Sequence, residues 1–270
     1  KGTYGVNLTV QETNPLYQKH LEICINKKAP FIITSLGNPK TLIKKAHAYR
    51  AKVFCDVTNI KHAKKSASLG CDAFIAVTQG AGGHAGPNPI HLLVPSLRKN
   101  FPDIPVIAAG GIANGKGLLS AMALGAIGAS VGTRFIACNE ASVSDDYKAA
   151  IVNSSMENIV LSERLSGTPC NIINTPYAKK IGYKQNAFER WLNSSKTFKK
   201  YFKTLVQLRG MKQLEKSVKP GNYKNLWTAG QSVELIDEVI SIKAIVENFK
   251  AEFTEELDKM VLLKNSFSEL

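Results

Sequence analysis

Short runs of apolar residues alternate with amphipathic stretches between residues 4 and 165. Most of these runs are apolar throughout, which is typical of strands that are covered on both faces of a sheet. The runs predict strands at Tyr4–Val10, Phe31–Ser35, Val53–Val57, Ala73–Val77, Val106–Ala109, Ala129–Gly132 and Asn158–Ser162. The amphipathic stretches between them predict helices at Pro15–Lys27, Lys40–Ala48, Ile60–Leu69 and Gly115–Leu124.

The spacing of these elements favours parallel βαβ units, because successive strands begin roughly 20–30 residues apart. A closed barrel of such units needs eight strands, and seven are predicted here. We therefore predict an α/β fold, a TIM (β/α)8 barrel whose first βα unit precedes Lys1. A doubly wound open sheet is the alternative, although the Gly-rich turn expected after its first strand does not follow Tyr4–Val10.

The pattern changes after residue 165, where prolines and glycines interrupt the chain. Asn186–Leu208 predicts a basic amphipathic helix, and Ser232–Lys259 predicts a second long helix. We divide the chain into an α/β barrel at 1–177 that is incomplete at its N-terminus, a basic helical insertion at 178–225, and a helical segment at 226–270 that packs back on the barrel.

The net charge of +14 is concentrated in one part of the chain. Residues 178–225 hold 13 Lys or Arg and two acidic residues, a local excess of 11 that leaves +3 for the remainder. A basic segment beside a nearly balanced remainder argues against nucleic-acid binding. The segment is predicted to be a solvated helical face, and an acidic partner or an anionic substrate is the alternative.

The five cysteines are scattered and form no CxxC pair, which is typical of a reducing, cytoplasmic location. We interpret them as small buried residues rather than redox groups. No window of about 18 apolar residues lacks charges, so no membrane contact is predicted. Histidines and cysteines are not clustered at zinc-ligand spacings, so no metal site is predicted either.

Two glycine clusters follow neighbouring late strands. Gly110-Gly111 follows Val106–Ala109, and Gly132-Thr133 ends the strand one βα unit later. Backbone N–H groups of glycines at strand ends can approach an anion closely, and the late loops of such barrels often hold phosphate. The pair therefore predicts a phosphate site, to which Thr133 adds a hydroxyl donor.

A third cluster, Gln79–Gly86, directly follows Ala73–Val77 and contains four glycines and His84. A neutral imidazole at the mouth of the barrel can accept a proton near physiological pH, so we predict a catalytic role for His84. Asn7 and Asp56 lie within predicted strands, where a polar side chain needs a partner in the protein or in a ligand. The residues alone leave both alternatives open for Asn7 and Asp56.

Four segments of the chain resemble the nitronate monooxygenases, formerly 2-nitropropane dioxygenases, and the related FMN-dependent enoyl-ACP reductases. The segments are Gly5–Leu8, Gly80–Gly86, Ala108–Ile112 and Val131–Phe135. The resemblance covers residues 4–176 and resumes weakly at Ala229–Ser232. One departure concerns Asp56, because some members place a lysine near this position.

The resemblance implies a TIM barrel with FMN at its mouth and His84 as the catalytic residue beside the substrate. It assigns nine residues to the site. Cofactor contacts are implied for Asn7, Gln79, Gly82, Gly83, Gly110, Gly111, Gly132 and Thr133, and catalysis for His84. Asn7 would contact the flavin, whereas the phosphate would be held by Gly110, Gly111, Gly132 and Thr133.

The function implied by the resemblance is FMN-dependent oxidation of a small nitronate or nitroalkane by dioxygen, with His84 as base. The first alternative is an FMN- and NAD(P)H-dependent enoyl-ACP reductase, for which the basic segment would offer a surface to an acidic carrier protein. A non-catalytic flavin- or phosphate-binding barrel and a barrel acting on a purine nucleotide are further alternatives. A homo-oligomer is compatible with each of these functions.

Overall fold

The computed structural model describes residues 2–11, 14–164, 168–184 and 226–268. The described residues form strands and helices that alternate through most of the first 136 residues. The strands are β1 Gly5–Thr9, β2 Phe31–Ser35, β3 Lys52–Val57, β4 Ala73–Val77, β5 Gly83–His84, β6 Val106–Ala109, β7 Gly128–Ser130, β8 Ile159–Ser162 and β9 Cys170–Ile173. The helices are α1 Tyr17–Asn26, α2 Lys40–His47, α3 Ile60–Ser68, α4 Ile90–Asn100, α5 Gly115–Ala123, α6 Thr133–Ile136, α7 Asp145–Val152, α8 Pro176–Ile181 and α9 Ile242–Ser268.

Six strands form a parallel sheet in the order β1-β2-β3-β4-β6-β7. The helices between them make the parallel crossovers that the strand spacing predicts. The register places Asn7 beside Ile33 and Asp56 beside Ile75. Side chains alternate between the two faces of such a sheet, and Asn7, Ile33, Asp56 and Ile75 lie on the inner face. The parallel sheet is therefore a half-barrel.

The prediction of a seventh parallel strand at Asn158–Ser162 is wrong. Residues 159–162 form β8, which pairs antiparallel with β9 in a second sheet of order β5-β9-β8. A short apolar run does not specify its pairing partner, and Cys170–Ile173 was not predicted as a strand. Among the described residues the parallel sheet has six strands and does not close.

Four helices, α4, α6, α7 and α8, were not predicted from the sequence, and two of them show why. Helix α4 contains Pro95, which removes one backbone donor from the helix and disguises the pattern. Helix α7 begins at the cap Ser144, whose hydroxyl accepts a hydrogen bond from the N–H of Tyr147. The long helix predicted at Ser232–Lys259 instead begins at Ile242, because residues 231–235 form a 3₁₀ turn. The helix predicted at Asn186–Leu208 lies outside the described residues.

The main core lies between the outer face of the parallel sheet and the helices. Fully buried side chains from both layers meet there, among them Ile32, Val53, Phe74, Leu21, Leu42 and Leu97. All five cysteines are buried free thiols, consistent with their interpretation as packing residues. A second core surrounds Trp227, whose ring stacks on that of Tyr147 with 5.4 Å between centroids.

The last helix packs on the half-barrel through α5. The carboxylate of Glu252 on α9 accepts a hydrogen bond from the N–H of Gly115 at 2.8 Å. Gly115 has no side chain at the point where α9 approaches the start of α5 most closely. In the part of the chain that the structure describes, no helix is long and apolar enough to span a membrane.

Candidate active site

A cavity of about 240 Å³ lies at the C-terminal ends of the parallel strands. Active sites of α/β barrels lie at this end, because the loops after the strands converge there. Its wall includes strand residues, three glycine-rich loops and the segment after residue 226. The polar and glycine positions in the wall are Asn7, Asp56, Gly80, Gly82, His84, Gly110, Gly111, Ser130, Gly132, Thr133, Thr228 and Ser232.

Asn7 projects from the inner face of β1 into this cavity. Its side-chain oxygen accepts a hydrogen bond from the hydroxyl of Ser35 on β2 at 3.4 Å. Because the oxygen is used in this way, the amide NH₂ is the group left to donate to a ligand. The structure thus brings Asn7 to the site and gives it a defined orientation.

The loop after β4 is held by its neighbours on two sides. The N–H and the hydroxyl of Thr78 both donate to the carbonyl of Ala109 at 2.9 Å. On the other side, the buried amide of Asn171 on β9 donates to the carbonyls of Gln79 and Ala81, each at 2.8 Å. The loop is therefore hydrogen-bonded to Ala109 of the parallel sheet and to Asn171 of the second sheet, and these bonds fix its path.

His84 lies at the end of that loop, on the short strand β5. Gly83 and His84 pair antiparallel with Asn171 and Cys170 of β9. The His84 residue is half-buried and its side chain lines the cavity. The second sheet, which the sequence did not predict, is therefore the element that positions the candidate base.

The glycines predicted to bind phosphate divide into two kinds. Gly110 has a φ of +111°, and a Cβ there would lie 2.6 Å from the hydroxyl oxygen of Thr78, so its lack of a side chain serves loop packing. Gly111 donates its N–H to the carbonyl of Gly80 at 3.1 Å, yet a Cβ on it would meet nothing within 4 Å. Gly132 likewise has open space where its side chain would be.

Thr133 adds a hydroxyl beside Gly132. Its oxygen accepts a hydrogen bond from the N–H of Gly230 at 3.0 Å, which leaves the hydroxyl proton to be donated elsewhere. The residue is buried and lines the cavity. This bond also joins the loop after β7 to the chain after residue 226.

Two predicted cofactor residues do not line this cavity. Gln79 is exposed and contributes its carbonyl to Asn171 rather than its side chain to the cavity. Gly83 adopts a φ of +69°, and a Cβ added to it would lie 3.9 Å from the Cβ of Thr228. The cofactor contacts of both residues stay predictions.

Asp56 lies on the inner face of β3, and burial raises the pKa of its carboxyl group to about 7. Asp56 and His84 are the two titratable residues in the described wall of the cavity. The wall contains no described lysine or arginine, so any anion here would be bound by backbone and hydroxyl donors.

A family model described as nitronate monooxygenase matches residues 2–252. The chain belongs to this family. The match covers both sheets, the cavity and the first part of α9. The family resemblance noted in the sequence is confirmed.

Two proteins similar to this chain differ in the reaction that their names specify. A "(3aS,4S,5R,7aS)-5-hydroxy-7a-methyl-1-oxo-octahydro-1H-indene-4-carboxyl-CoA dehydrogenase" of Rhodococcus jostii is 26% identical over 287 residues, with 97% of this chain and 80% of the relative covered. A probable nitronate monooxygenase of Staphylococcus saprophyticus is 31% identical over 188 residues, with 65% of this chain covered. This chain matches 52% of the staphylococcal protein, about half its length.

Solved structures support the nitronate monooxygenase fold. FabK from Thermotoga maritima aligns with a TM-score of 0.81 at 31% identity and covers 96% of this chain and 78% of its own. A nitroalkane oxidase from Streptomyces ansochromogenes aligns with a TM-score of 0.76 at 20% identity. The alignment covers 96% of this chain and 82% of the nitroalkane oxidase. At that identity the second alignment supports the fold alone.

Sequence reasoning missed several residues that build this candidate site. Thr228, Gly230 and Ser232 come from a segment that lies 97 residues after Thr133 at Gly230, and Asn171 comes from the unpredicted strand β9. The weak resemblance at Ala229–Ser232 was the available signal for that segment. Asn171 had none, because its role depends on which strand lies beside the loop.

Proposed function

We propose that this chain is an FMN-dependent oxidoreductase that oxidises nitronates or nitroalkanes with dioxygen. The observation that carries the proposal is the position of His84 in the same cavity wall as Gly111, Gly132 and Thr133, in a member of the nitronate monooxygenase family. We also propose that the six parallel strands belong to a closed TIM barrel in the whole protein.

The residues present fit a phosphate-bearing cofactor. The open space beside Gly111 and Gly132 is a cradle that a methyl group would fill, and the Thr133 hydroxyl has a proton to donate into it. Gly132 would hold the phosphate of FMN through its backbone and Thr133 through its hydroxyl group, whereas Gly111, whose N–H is bonded to Gly80, would leave room for the phosphate. Asn7, with its NH₂ group free to donate, would contact the ring system.

FMN, when bound, supplies the redox chemistry and the route for electrons to dioxygen. The chain contributes proton transfer and orientation. His84 would remove the proton from the carbon that carries the nitro group of a neutral nitroalkane, and the proton would then reside on the imidazole. With a nitronate as substrate, the same imidazole in its protonated form would stabilise the bound anion.

The visible absorption spectrum of the purified protein, incubated with FMN and kept anaerobic, tests this function. We expect flavin bands that bleach when a nitronate is added and return when air is admitted. Bleaching by NADH with no response to nitronate would contradict nitronate oxidation. Failure to retain any flavin would contradict both enzyme functions and favour a barrel that binds another phosphate.

A second candidate function is redox chemistry on a thioester, the enoyl-ACP reductase class of the sequence analysis. The Rhodococcus relative, whose name specifies a carboxyl-CoA dehydrogenase, matches 97% of this chain, and this favours a thioester as the competing substrate. The same anaerobic absorption measurement tests this candidate. NADH would bleach the flavin bands, and a short enoyl-CoA would then restore them. Absence of that restoration would contradict this candidate.

A further inference from the structure

Asp56 is a titratable cavity residue to which the proposed function gives no role. It lies on the inner face of β3, opposite Ile75 of β4, and lines the same cavity as Ile33. Among the described residues, no hydrogen bond or ion pair involves its carboxyl group. A carboxylate is poorly tolerated among apolar side chains without such partners.

The described surroundings of Asp56 contain no lysine or arginine to stabilise its charge. The neighbouring strands β2 and β4 carry no charged residue, and β3 carries only Lys52, which pairs with Asp72 at 2.8 Å. The remaining titratable residue in the described cavity wall is His84, on the loop after β4. Burial alone accounts for the raised pKa of Asp56, and no charge partner contributes.

An anionic ligand would add a further negative charge to the cavity that contains the Asp56 carboxyl group. The proposed cofactor brings a phosphate and the nitronate form of the proposed substrate is an anion, yet the described wall offers no lysine or arginine. A second negative charge in a poorly solvated cavity raises the cost of ionising a carboxyl group, so ligand binding and Asp56 protonation favour each other.

Resting on the proposed function, we infer that Asp56 determines which charge form of the substrate the cavity accepts. The Asp56 carboxyl group is neutral when an anion is bound, and ionisation of this group excludes the anion. The neutral carboxyl group can donate a hydrogen bond to an oxygen of the ligand, whereas the ionised group repels it. A neutral nitroalkane is accepted in both states of Asp56.

A matched pair of unreactive probes tests this inference. The anion 2-methylpropanoate has the same heavy-atom connectivity and charge as propane-2-nitronate, and 2-methylpropanamide is its neutral counterpart. Dissociation constants are measured from the change in flavin absorbance of the FMN-loaded protein. Between about pH 6 and about pH 8.5 we expect the anion to bind about 30-fold more weakly, and the amide to bind equally well at both.

The variant Asp56→Asn separates this effect from titration of His84. Asparagine has a similar size and no titratable proton, so the anion should bind this variant with little dependence on pH. A pH dependence that persists in Asp56→Asn and disappears in His84→Gln would overturn the inference. Thermal unfolding of each variant, compared with the parent protein, establishes that the fold is retained.

An infrared measurement makes the inference independent of flavin and turnover. A protonated carboxyl group has its own carbonyl stretching band, which should be absent from Asp56→Asn and should grow when 2-methylpropanoate is added near pH 7. That result without nitronate oxidation would refute the proposed function and support the role of Asp56. Nitronate oxidation with no such band would refute the role of Asp56 alone.

Discussion

His84 and Asp56, the titratable pair of the described cavity wall, differ in how the fold presents them. His84 is on a two-residue strand at the edge of a small antiparallel sheet. Asp56 is within a strand of the half-barrel and has hydrophobic neighbours. An imidazole at the mouth of the cavity can exchange protons with a substrate. The protonation state of a carboxyl group within a strand is instead determined by its desolvation.

Replacement of His84 by glutamine tests its role as a base. We expect kcat/KM for a neutral nitroalkane to fall about 10²–10⁴-fold, because the proton on carbon loses its acceptor. The preformed nitronate is the matched control substrate, and its oxidation should be impaired less because that proton is already gone. Equal losses for the two substrates would contradict the base role, provided that the variant retains its flavin spectrum.

The Asp56 carboxyl group predicts how the stability of the protein depends on pH. Its pKa is about 7 in the folded chain and near 3.8 when unfolded, so folding favours the protonated form. The contribution of this group to the free energy of unfolding is fully present below the unfolded pKa. It is lost as pH rises through about 7, and the loss is at most roughly 4 kcal/mol.

Urea unfolding of Asp56→Asn and the parent protein at about pH 5 and about pH 8 measures this effect. The variant should gain stability relative to the parent protein at the higher pH, because it has no charge to desolvate. The same difference between the two proteins at both pH values would contradict the raised pKa.

At the scale of elements, the second sheet is the feature that the sequence concealed. The strands of the half-barrel could be predicted within a few residues, because continuous apolar runs with helices between them admit few other structures. Strand β8 was found as a strand but assigned to the wrong sheet, since pairing is decided by contacts distant in sequence. Strand β9 and helix α4 had no clear pattern of hydrophobic and polar residues, and Pro95 lies within α4.

Asn171 connects this second sheet to the loop that carries His84. Its two hydrogen bonds to the carbonyls of Gln79 and Ala81 would be lost in Asn171→Ala, and the free energy of unfolding should fall by about 1–3 kcal/mol. Asn171→Asp is the matched variant, with the same shape and no amide donors, and should be equally impaired. Thermal unfolding measures both, and an unchanged Asp variant would show that packing, not donation, fixes the loop.

Two glycines distinguish loop packing from cofactor binding. In Gly230→Ala the added carbon would meet the Gly80 carbonyl and lie 3.0 Å from the Gly82 nitrogen, so we expect a loss of about 1–3 kcal/mol of stability. In Gly132→Ala the added carbon enters open space, so stability without FMN should be unchanged. FMN should nevertheless bind more weakly to Gly132→Ala, as measured by fluorescence quenching, because the methyl group occupies the proposed phosphate cradle.

At the scale of the whole molecule, the cavity wall combines residues from β1 to Ser232, and they come from short segments that are far apart in sequence. The glycine clusters and His84 could be placed from sequence because parallel strands deliver their C-terminal ends to one side of the sheet. Thr228 and Ser232 could not, since nothing in a strand–helix repeat specifies where the chain returns.

The whole-molecule fold also predicts how the cofactor affects unfolding. If FMN binds only the folded chain, a concentration of about 100 times its Kd should stabilise the protein by about 2.7 kcal/mol. The melting temperature measured over a series of FMN concentrations checks this prediction. Riboflavin, which lacks the phosphate, is the control, and equal stabilisation by both compounds would contradict the phosphate cradle.

The loops at Gly80–Gly82 and Gly230 touch through their backbones, with no side chain on either side of the contact. This has a consequence for compensatory substitution. In an ordinary core, a larger residue at one position can be rescued by a smaller one at its partner. Here neither partner can become smaller, so a change at Gly82 or Gly230 has no second-site suppressor within the pair. A library randomised at both positions should return the parental pair.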